Sequence, residues 1–330
     1  MRIEKTKQTL AQLIPQREPL LLVGPPGGGK TDSIKQVCAD LKYNLVISHP
    51  VLDDRVDYKG LPAIINDQAH FLPFGNLEKM LPQNCKKPLV WFFDDSGQAP
   101  LDVQAAMMQL IHGRELNGQK ISPLVTFVSA TNRKKDKAGV SGMIRPLLDR
   151  FIAVLELEFN LDDWIAWMMK QKYDPMIAGY SRWKPDMIIN AEPSGEMEKI
   201  PTPRSLAGVG RLLKLGLNDV EILAGAVGRA WAIEFNTFRN IITELPDKEE
   251  IFKSPKTAPV PKKNDVLYAL MANLAFYTQE KNVNALMTYL ARVSVEFSVV
   301  CFKDCAARLP NIMKNKRFSK WCDENEEVFL

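Results

Sequence analysis

At 330 residues the chain is too long for one small core and suits two or three domains. Hydrophobic residues make up 46% and charged residues 25%, with no apolar run long enough to cross a bilayer and no signal-peptide hydrophobic stretch near Met1, so no membrane span is expected. A net charge of +4 neither demands nor excludes nucleic acid. Five scattered cysteines (Cys38, Cys85, Cys301, Cys305, Cys322) lack metal-site spacing and read as reduced, buried thiols of a cytoplasmic protein.

Residues 4–14 predict a short helix. Leu20 to Val23 is an apolar run that reads as a buried strand, and it enters Gly24-Pro25-Pro26-Gly27-Gly28-Gly29-Lys30-Thr31. Glycine, four residues, then Gly-Lys-Thr is the spacing of a phosphate-binding P-loop. Gly24, Gly27, Gly28 and Gly29 allow positive φ and let the backbone approach an anion closely. The loop amides and the N-terminus of the following helix, expected over 31–41, favour negative charge. Lys30 would reach the β- and γ-phosphates of ATP, and Thr31 would offer its hydroxyl to Mg²⁺.

Leu45 to Ser48 reads as a second strand. After a polar stretch (53–62), residues 63–65 and 69–72 read as a hairpin around Asn66-Asp67-Gln68, and 76–81 as a short helix. Leu89-Val90-Trp91-Phe92-Phe93 has the uninterrupted apolar character of a central strand buried on both faces, and it ends in Asp94-Asp95. Two acids at that strand end suit a Walker B site. Asp94 would hold Mg²⁺, directly or through water, and Asp95 would orient or deprotonate an attacking water. Many P-loop ATPases carry Glu at the second place, and Asp is one methylene shorter.

Pro100 to Ile111 predicts a helix with Val103, Ala106, Met107, Leu110 and Ile111 on its apolar stripe. Asn117-Gly118 signals a type I′ hairpin. Leu124 to Ser129 is another buried strand, ending at Thr131-Asn132, where Asn132 is a candidate γ-phosphate or water sensor. Arg133, Lys134, Lys135 and Lys137 form a basic loop, and 143–150 a short helical segment before a last strand at 151–157.

In this order the motifs resemble those of an AAA+ ATPase, most of all the MoxR branch. Gly24 to Thr31 matches Walker A, Asp94-Asp95 matches Walker B with Asp for Glu, and Ala130-Thr131-Asn132 matches sensor 1. Asp57-x-x-Gly60-Leu61-Pro62 and Pro100-x-x-Val103-Gln104-Ala105-Ala106 resemble MoxR segments. Leu148-Asp149-Arg150-Phe151 resembles the arginine-finger segment, with Arg145 in reserve, and Thr202-Pro203-Arg204-Ser205 resembles sensor 2. The structural alternative for Arg150 is an ion pair with Asp149 or another acid. The resemblance implies an α/β P-loop core with a parallel sheet flanked by helices, then an all-α lid and a C-terminal helical region. The expected layout is a nucleotide-binding domain over 1–158, a lid over 159–246, a Lys/Pro-rich linker over 247–264 and a helical region over 265–330. It also implies ATP and Mg²⁺, a homo-oligomeric ring, hexameric in the family's manner, and a von Willebrand factor A-domain partner.

Within the lid, Asn160 is a good N-cap with Asp162 and Asp163 in the first turn. Trp164 and Trp167 read as core. Residues 173–203 read as an irregular excursion. Helices are expected over 206–215, 220–238 and, by period, 266–299, with Ala224-Gly-Ala-Val-Gly228 permitting close packing and Leu267, Leu270, Leu274 and Phe276 in a core. Lys314, Lys316, Arg317 and Lys320 form a basic cluster.

The leading expectation is a Mg²⁺-dependent ring ATPase that remodels or activates a protein client. A second reading is a nucleic-acid-associated motor or clamp-loader-like ATPase that grips with the two hairpins and the basic loop. A third is a nucleotide-gated scaffold with little turnover, kept open by Asp95 in place of Glu.

Overall fold

The computed structural model describes residues 1–133, 142–189 and 199–329. Its contacts divide into two units, Met1–Phe159 and Asn160–Leu330.

The first unit opens with α1 (Ile3–Leu13) and β1 (Leu20–Gly24), followed by α2 (Lys30–Leu41) and β2 (Asn44–Ser48). Then come α3 (Arg55–Lys59), the hairpin β3 (Leu61–Ile65) and β4 (Gln68–Leu72), α4 (Gly75–Lys79) and β5 (Leu89–Phe93). The unit ends with α5 (Leu101–Gly113), the hairpin β6 (Glu115–Leu116) and β7 (Gln119–Lys120), β8 (Val125–Asn132), α6 (Arg145–Leu148) and β9 (Ala153–Glu156). Five strands form one sheet in the order β2-β5-β8-β1-β9, and every pairing in it is parallel. A parallel sheet needs both faces covered. One face packs Leu20, Leu22, Val90, Phe92 and Val128 against α1 and α2 through Leu10, Ile34 and Val37. The other packs Leu21, Trp91, Phe93 and Phe127 against Val103, Met107 and Leu110 of α5. All five residues of β5 are buried, as its apolar run predicts.

β1 pairs with β8 and β9, while β2, its successor in sequence, lies at the far edge. That places a switch in strand order at the carboxyl end of β1, where open α/β sheets bind ligands. The register sets Gly24 beside Asn132 and Phe93 beside Ser129, so three motif-bearing strand ends meet.

Between β2 and β5 the polar stretch is not all loop. Asp54 and Asp57 form a capping box that starts α3. Tyr58 is wholly buried and stacks on Trp91. Its hydroxyl donates to Asp53 Oδ2 at 2.6 Å, and burial, aided by that carboxylate, pushes the phenol's pKa up. Gly60 has φ 85°, and a Cβ there would stand 2.8 Å from the Leu72 carbonyl oxygen, so glycine is needed at the hairpin base. Asn66 and Asp67 both have positive φ, as in a type I′ turn. Every residue of β4 is exposed, as are Leu61, Ile64 and Ile65 of β3. Asn117 at the turn of the second hairpin donates to the Lys59 carbonyl at 2.9 Å, which ties it to the base of the first.

The second unit is helical: α7 (Leu161–Lys170), α8 (Pro175–Trp183), α9 (Asp186–Ile189), α10 (Pro203–Lys214), α11 (Val220–Val227), α12 (Arg229–Asn240), α13 (Lys248–Lys253), α14 (Asn264–Tyr277), α15 (Val283–Leu290), α16 (Val295–Arg308), α17 (Lys316–Glu324) and α18 (Glu326–Phe329). Asn160 caps α7 by accepting from the Asp163 amide, as expected. Arg182 of α8 and Asp304 of α16 form a buried ion pair, Nη2 to Oδ1 2.8 Å, and Arg182 also reaches Asp162 at 3.2 Å. Among the described residues no helix is long and apolar enough to cross a membrane.

Several expectations for this unit are corrected. The region after 173 contains a regular helix, because Asp174 caps α8 and Pro175 at its first position needs no N–H partner. The helix expected over 220–238 breaks at Gly228, whose φ of 89° cannot continue it, and a Cβ on Gly225 would meet nothing within 4 Å. Close packing occurs elsewhere: a Cβ on Gly179 would lie 3.1 Å from Ala269 Cα, where α8 and α14 touch. The helix expected over 266–299 is three, α14, α15 and α16. Trp164 is core but Trp167 is 36% exposed. The Lys/Pro-rich stretch 247–264 is packed rather than free. It contains α13 with Ile251 buried, and Arg292 and Tyr289 donate to the carbonyls of Ala258 and Pro259. Lysine and proline counts report local polarity and φ restriction, and they miss that carbonyls along the segment find side-chain donors. Lys314, Lys316, Arg317 and Lys320 are exposed.

Candidate nucleotide-binding site

The loop between β1 and α2 is shaped by its glycines in two ways. Gly27 and Gly29 have φ of 69° and 87°, the left-handed region that glycine adopts without strain. Gly24 and Gly28 do not share that conformation, which corrects the expectation for those two. They are tight for another reason: a Cβ would stand 3.0 Å from Leu157 at Gly24 and 3.0 Å from the Pro25 carbonyl oxygen at Gly28. Pro25 and Pro26 complete the turn. Gly29 is the N-cap of α2, so Lys30 and Thr31 open a helix whose first amides face the loop.

Lys30 is buried, with 6% of its surface exposed. Its ammonium donates to the carbonyls of Gly24 and Pro25, both at 3.0 Å, and to Asn132 Oδ1 at 2.7 Å. A buried cation requires such partners. Thr31 Oγ1 donates to Asp94 Oδ2 at 2.8 Å. Asn132 Nδ2 approaches Asp95 Oδ1 at 3.4 Å. The predicted residues Gly24 to Thr31, Asp94, Asp95 and Asn132 are thus brought together.

Thr31 and Asp94 fit a magnesium ion. Their oxygens are spaced close to the roughly 3 Å that separates adjacent ligands in an octahedral shell, and Mg²⁺ takes only one or two protein ligands beside water and phosphate. Among the described residues no group of three or more His, Cys, Asp or Glu side chains could hold a metal by itself.

Asp95 has φ 56° and ψ 32°. Asp and Asn tolerate this left-handed region better than longer side chains, which gives the short acid a backbone reason to stand here. Ser96 and Ser129, both fully buried, lie behind it. Their hydroxyls are 2.6 Å apart, and Ser96 Oγ also donates to the Ala130 carbonyl at 3.1 Å. This hydroxyl bridge between the turn after β5 and strand β8 was not singled out from the sequence. Its signal is a pair of small polar residues flanking apolar strands, which is common in turns. Ser48 was missed too: it accepts from the Trp91 indole at 2.8 Å and the Asn76 amide at 3.0 Å.

Arg145 and Arg150 are not part of this cluster. No hydrogen bond or ion pair among the described residues links Arg145 or Arg150 to it. Arg145 is exposed at the start of α6, and Arg150 is half-buried. The Arg150 Nε is buried without a hydrogen-bond partner, and among the described residues no ion pair joins Arg150 to Asp149. Arg204 is exposed in α10 of the second unit, after a Thr202–Ser205 capping box. Of the basic loop, Arg133 is half-buried, and Lys134, Lys135 and Lys137 lie outside the described residues.

A parallel sheet with this strand order, a P-loop after β1, paired acids after β5 and an asparagine closing β8 constitute the AAA+ P-loop NTPase fold. No protein-family model matches the chain, and no curated protein sequence matches it. Among solved structures it is similar to the RuvB P216G mutant of Thermotoga maritima, at 20% identity and a TM-score of 0.45, covering 88% of each chain. It is also similar to NtrX of Brucella abortus in complex with ADP, at 13% identity and a TM-score of 0.39, over 99% of this chain and 68% of that one. A third is a putative ATPase of Cytophaga hutchinsonii, at 12% identity and a TM-score of 0.36, over 87% and 79%.

Proposed function

We propose that this protein is a magnesium-dependent ATPase that works as a homo-oligomeric ring, hexameric on the MoxR-like resemblance, and couples hydrolysis to remodelling or activating a protein client. The observation that carries this reading is the serial arrangement Lys30–Asn132–Asp95 beside Thr31–Asp94. Lys30 and the first amides of α2 bind the phosphates. Thr31 and Asp94 would hold magnesium, which would supply charge neutralisation at the phosphates. Asp95 accepts the proton of the attacking water, and Asn132 orients that water. Arg204 reaches the γ-phosphate from the lid of the same subunit. Arg150, with Arg145 as the alternative, acts on the nucleotide of a neighbouring subunit.

A protein client is favoured over nucleic acid because residues 61–72, the more prominent hairpin, contain neither lysine nor arginine and expose Leu61, Ile64, Ile65, Phe71 and Leu72. Phosphate contacts need cations. A von Willebrand factor A-domain protein is the partner that the resemblance suggests. Five free, buried cysteines are in keeping with a cytoplasmic location.

The test is ATP hydrolysis across a protein-concentration series, with Mg²⁺ and with EDTA. Specific activity that rises with concentration and needs Mg²⁺ supports a site completed by a neighbour. ATP binding without turnover at any concentration, with or without candidate partners, overturns the motor in favour of a nucleotide-gated scaffold.

A further inference from the structure

Gln104 lies on the apolar stripe of α5 and is wholly buried. An apolar residue would fill the same space without polar atoms to satisfy. Each polar atom of this side chain has a backbone partner. Its Nε2 donates to the Ala99 carbonyl at 3.0 Å and to the Gly142 carbonyl at 3.2 Å, and its Oε1 accepts from the Ile144 amide at 2.9 Å. Two acceptors and one donor fix which end of the amide is which. Toward residues 142–144 the side chain behaves as a neighbouring strand would, accepting from one residue's N–H and donating to the C=O two residues before it.

The held segment leads directly into the arginines. Ile144 is the N-cap of α6, and its carbonyl accepts from the Leu147 and Leu148 amides at 3.1 Å. Arg145 is the first residue of that helix and Arg150 follows its end. On the other side the segment touches the acidic turn, since the Gly142 amide donates to the Gly97 carbonyl at 3.2 Å. Gly97 follows Asp95 and Ser96, and Ser96 is bonded across to β8, which ends in Asn132. Hydrogen bonds and short stretches of backbone therefore join Lys30, Asn132 and Asp95 to the segment that carries Arg145 and Arg150.

We propose that Gln104 is a positioning residue that couples the acidic turn of its own nucleotide site to the arginine segment presented to the neighbouring subunit. The proposal rests on the ring-ATPase reading above. It makes one buried amide responsible for the register of residues 142–150 relative to Asp95. A slip of about 1 Å in a catalytic group can cost two orders of magnitude in rate.

The test uses mixed assemblies of the full chain. Gln104→Met keeps volume and removes the amide. Alone it is expected to bind ATP with unchanged affinity and KM and to lose kcat by about tenfold. Mixed with Lys30→Ala subunits, whose own site is disabled but whose arginine segment is intact, it should regain turnover above the sum of the two separate proteins. Arg150→Ala and Arg145→Ala, each mixed with Lys30→Ala, run alongside. Rescue of an arginine variant without rescue of Gln104→Met overturns the coupling role and leaves the ring reading standing. Failure of both arginine variants to be rescued overturns the ring reading, and this inference with it. If Gln104→Met does not fold, Gln104→Glu, of the same shape but stripped of the amide donors, takes its place under the same outcomes. A kcat loss that no mixture relieves assigns Gln104 to its own subunit's site and overturns the proposal.

Discussion

The Lys30 ammonium stands 2.7 Å from the Asn132 side-chain oxygen, and the two residues are 102 positions apart in sequence. The parallel pairing of β1 with β8 makes the contact, because Gly24 and Asn132 are register partners. Three neutral oxygens are among the groups that hold Lys30. A phosphate oxygen carries charge and is a stronger acceptor than any of them. On the proposed function, phosphate binding and the orientation of Asn132 would therefore be linked through one cation.

Replacing Lys30 with Ala removes a charge-assisted contact of about 1.5–3 kcal/mol, so ATP affinity should fall by roughly ten- to a hundredfold or more. Titration with a fluorescent ATP analogue measures it. Near-normal binding and turnover would sink the P-loop assignment.

Asp95 gives a two-part expectation. Asp95→Asn suits the left-handed backbone and should leave the melting temperature within a degree or two while removing the proton acceptor, so binding persists and turnover collapses. Asp95→Glu retains the acid but strains the turn by about 1 kcal/mol, lowering the melting temperature by a few degrees. A Glu variant as stable as the parent would remove the backbone explanation for Asp at this position.

For Arg150→Ala, ATP binding should be intact, with turnover reduced by about three orders of magnitude, the scale of a lost arginine at a transferring phosphoryl group. Arg145→Ala, on the exposed start of the same segment, is the paired measurement. Whichever substitution leaves turnover intact eliminates that arginine as the finger.

In the second unit, Arg182 and Asp304 are buried partners. Asp304→Ala leaves the buried Arg182 with only the half-exposed Asp162 as a counter-charge and should cost about 3 kcal/mol, read by urea unfolding, whereas replacing both Arg182 and Asp304 with apolar residues of similar volume should cost far less. Equal losses in the single and double variants would contradict a charge-desolvation origin.

Burial pushes the Cys38 thiol up to about 12. A raised thiol pKa means that the reactive thiolate is scarce well above neutral pH. Cys38 should resist alkylation in the folded protein at pH 8 and react once denaturant is added. Fast labelling of native Cys38, located by mass spectrometry, would contradict its placement against the sheet.

The candidate nucleotide site was the most legible part of the sequence. Its residues sit in short contiguous runs at strand ends, so Gly24 to Thr31 could be found by spacing, and Asp94-Asp95 and Asn132 by the order in which they follow it. What spacing could not supply is which constraint acts at each glycine, and Gly24 and Gly28 turned out to answer to contact rather than dihedral angle. Gln104 was visible only as part of a resemblance. Its place at 104, three before Met107 and seven before Ile111, sets it on the buried stripe, but its partners Gly142 and Ile144 are distant in sequence. The helical unit was less legible still. Periodicity runs straight through a break when both flanking helices are apolar, so α11 and α12 read as one helix across Gly228, and α14 to α16 as another. Capping residues mark such ends more reliably than hydrophobic period, as Asp174 and Asn160 do.

The β3–β4 hairpin has a further bearing on handling the protein. Pro62, Ile64, Ala69 and Phe71 share one face of it, and Ile64 is 80% exposed. Among the described residues neither strand pairs with a third, and between Leu61 and Leu72 the only charged side chain is Asp67. Native edge strands are usually guarded by charge, because an unguarded edge recruits other strands. Concentrated samples are therefore prone to stick ribbon to ribbon, a colloidal association independent of nucleotide. Scattering that grows with concentration would report this stickiness as readily as ring assembly. Ile64→Lys, far in sequence from the P-loop, should suppress the first and spare the second.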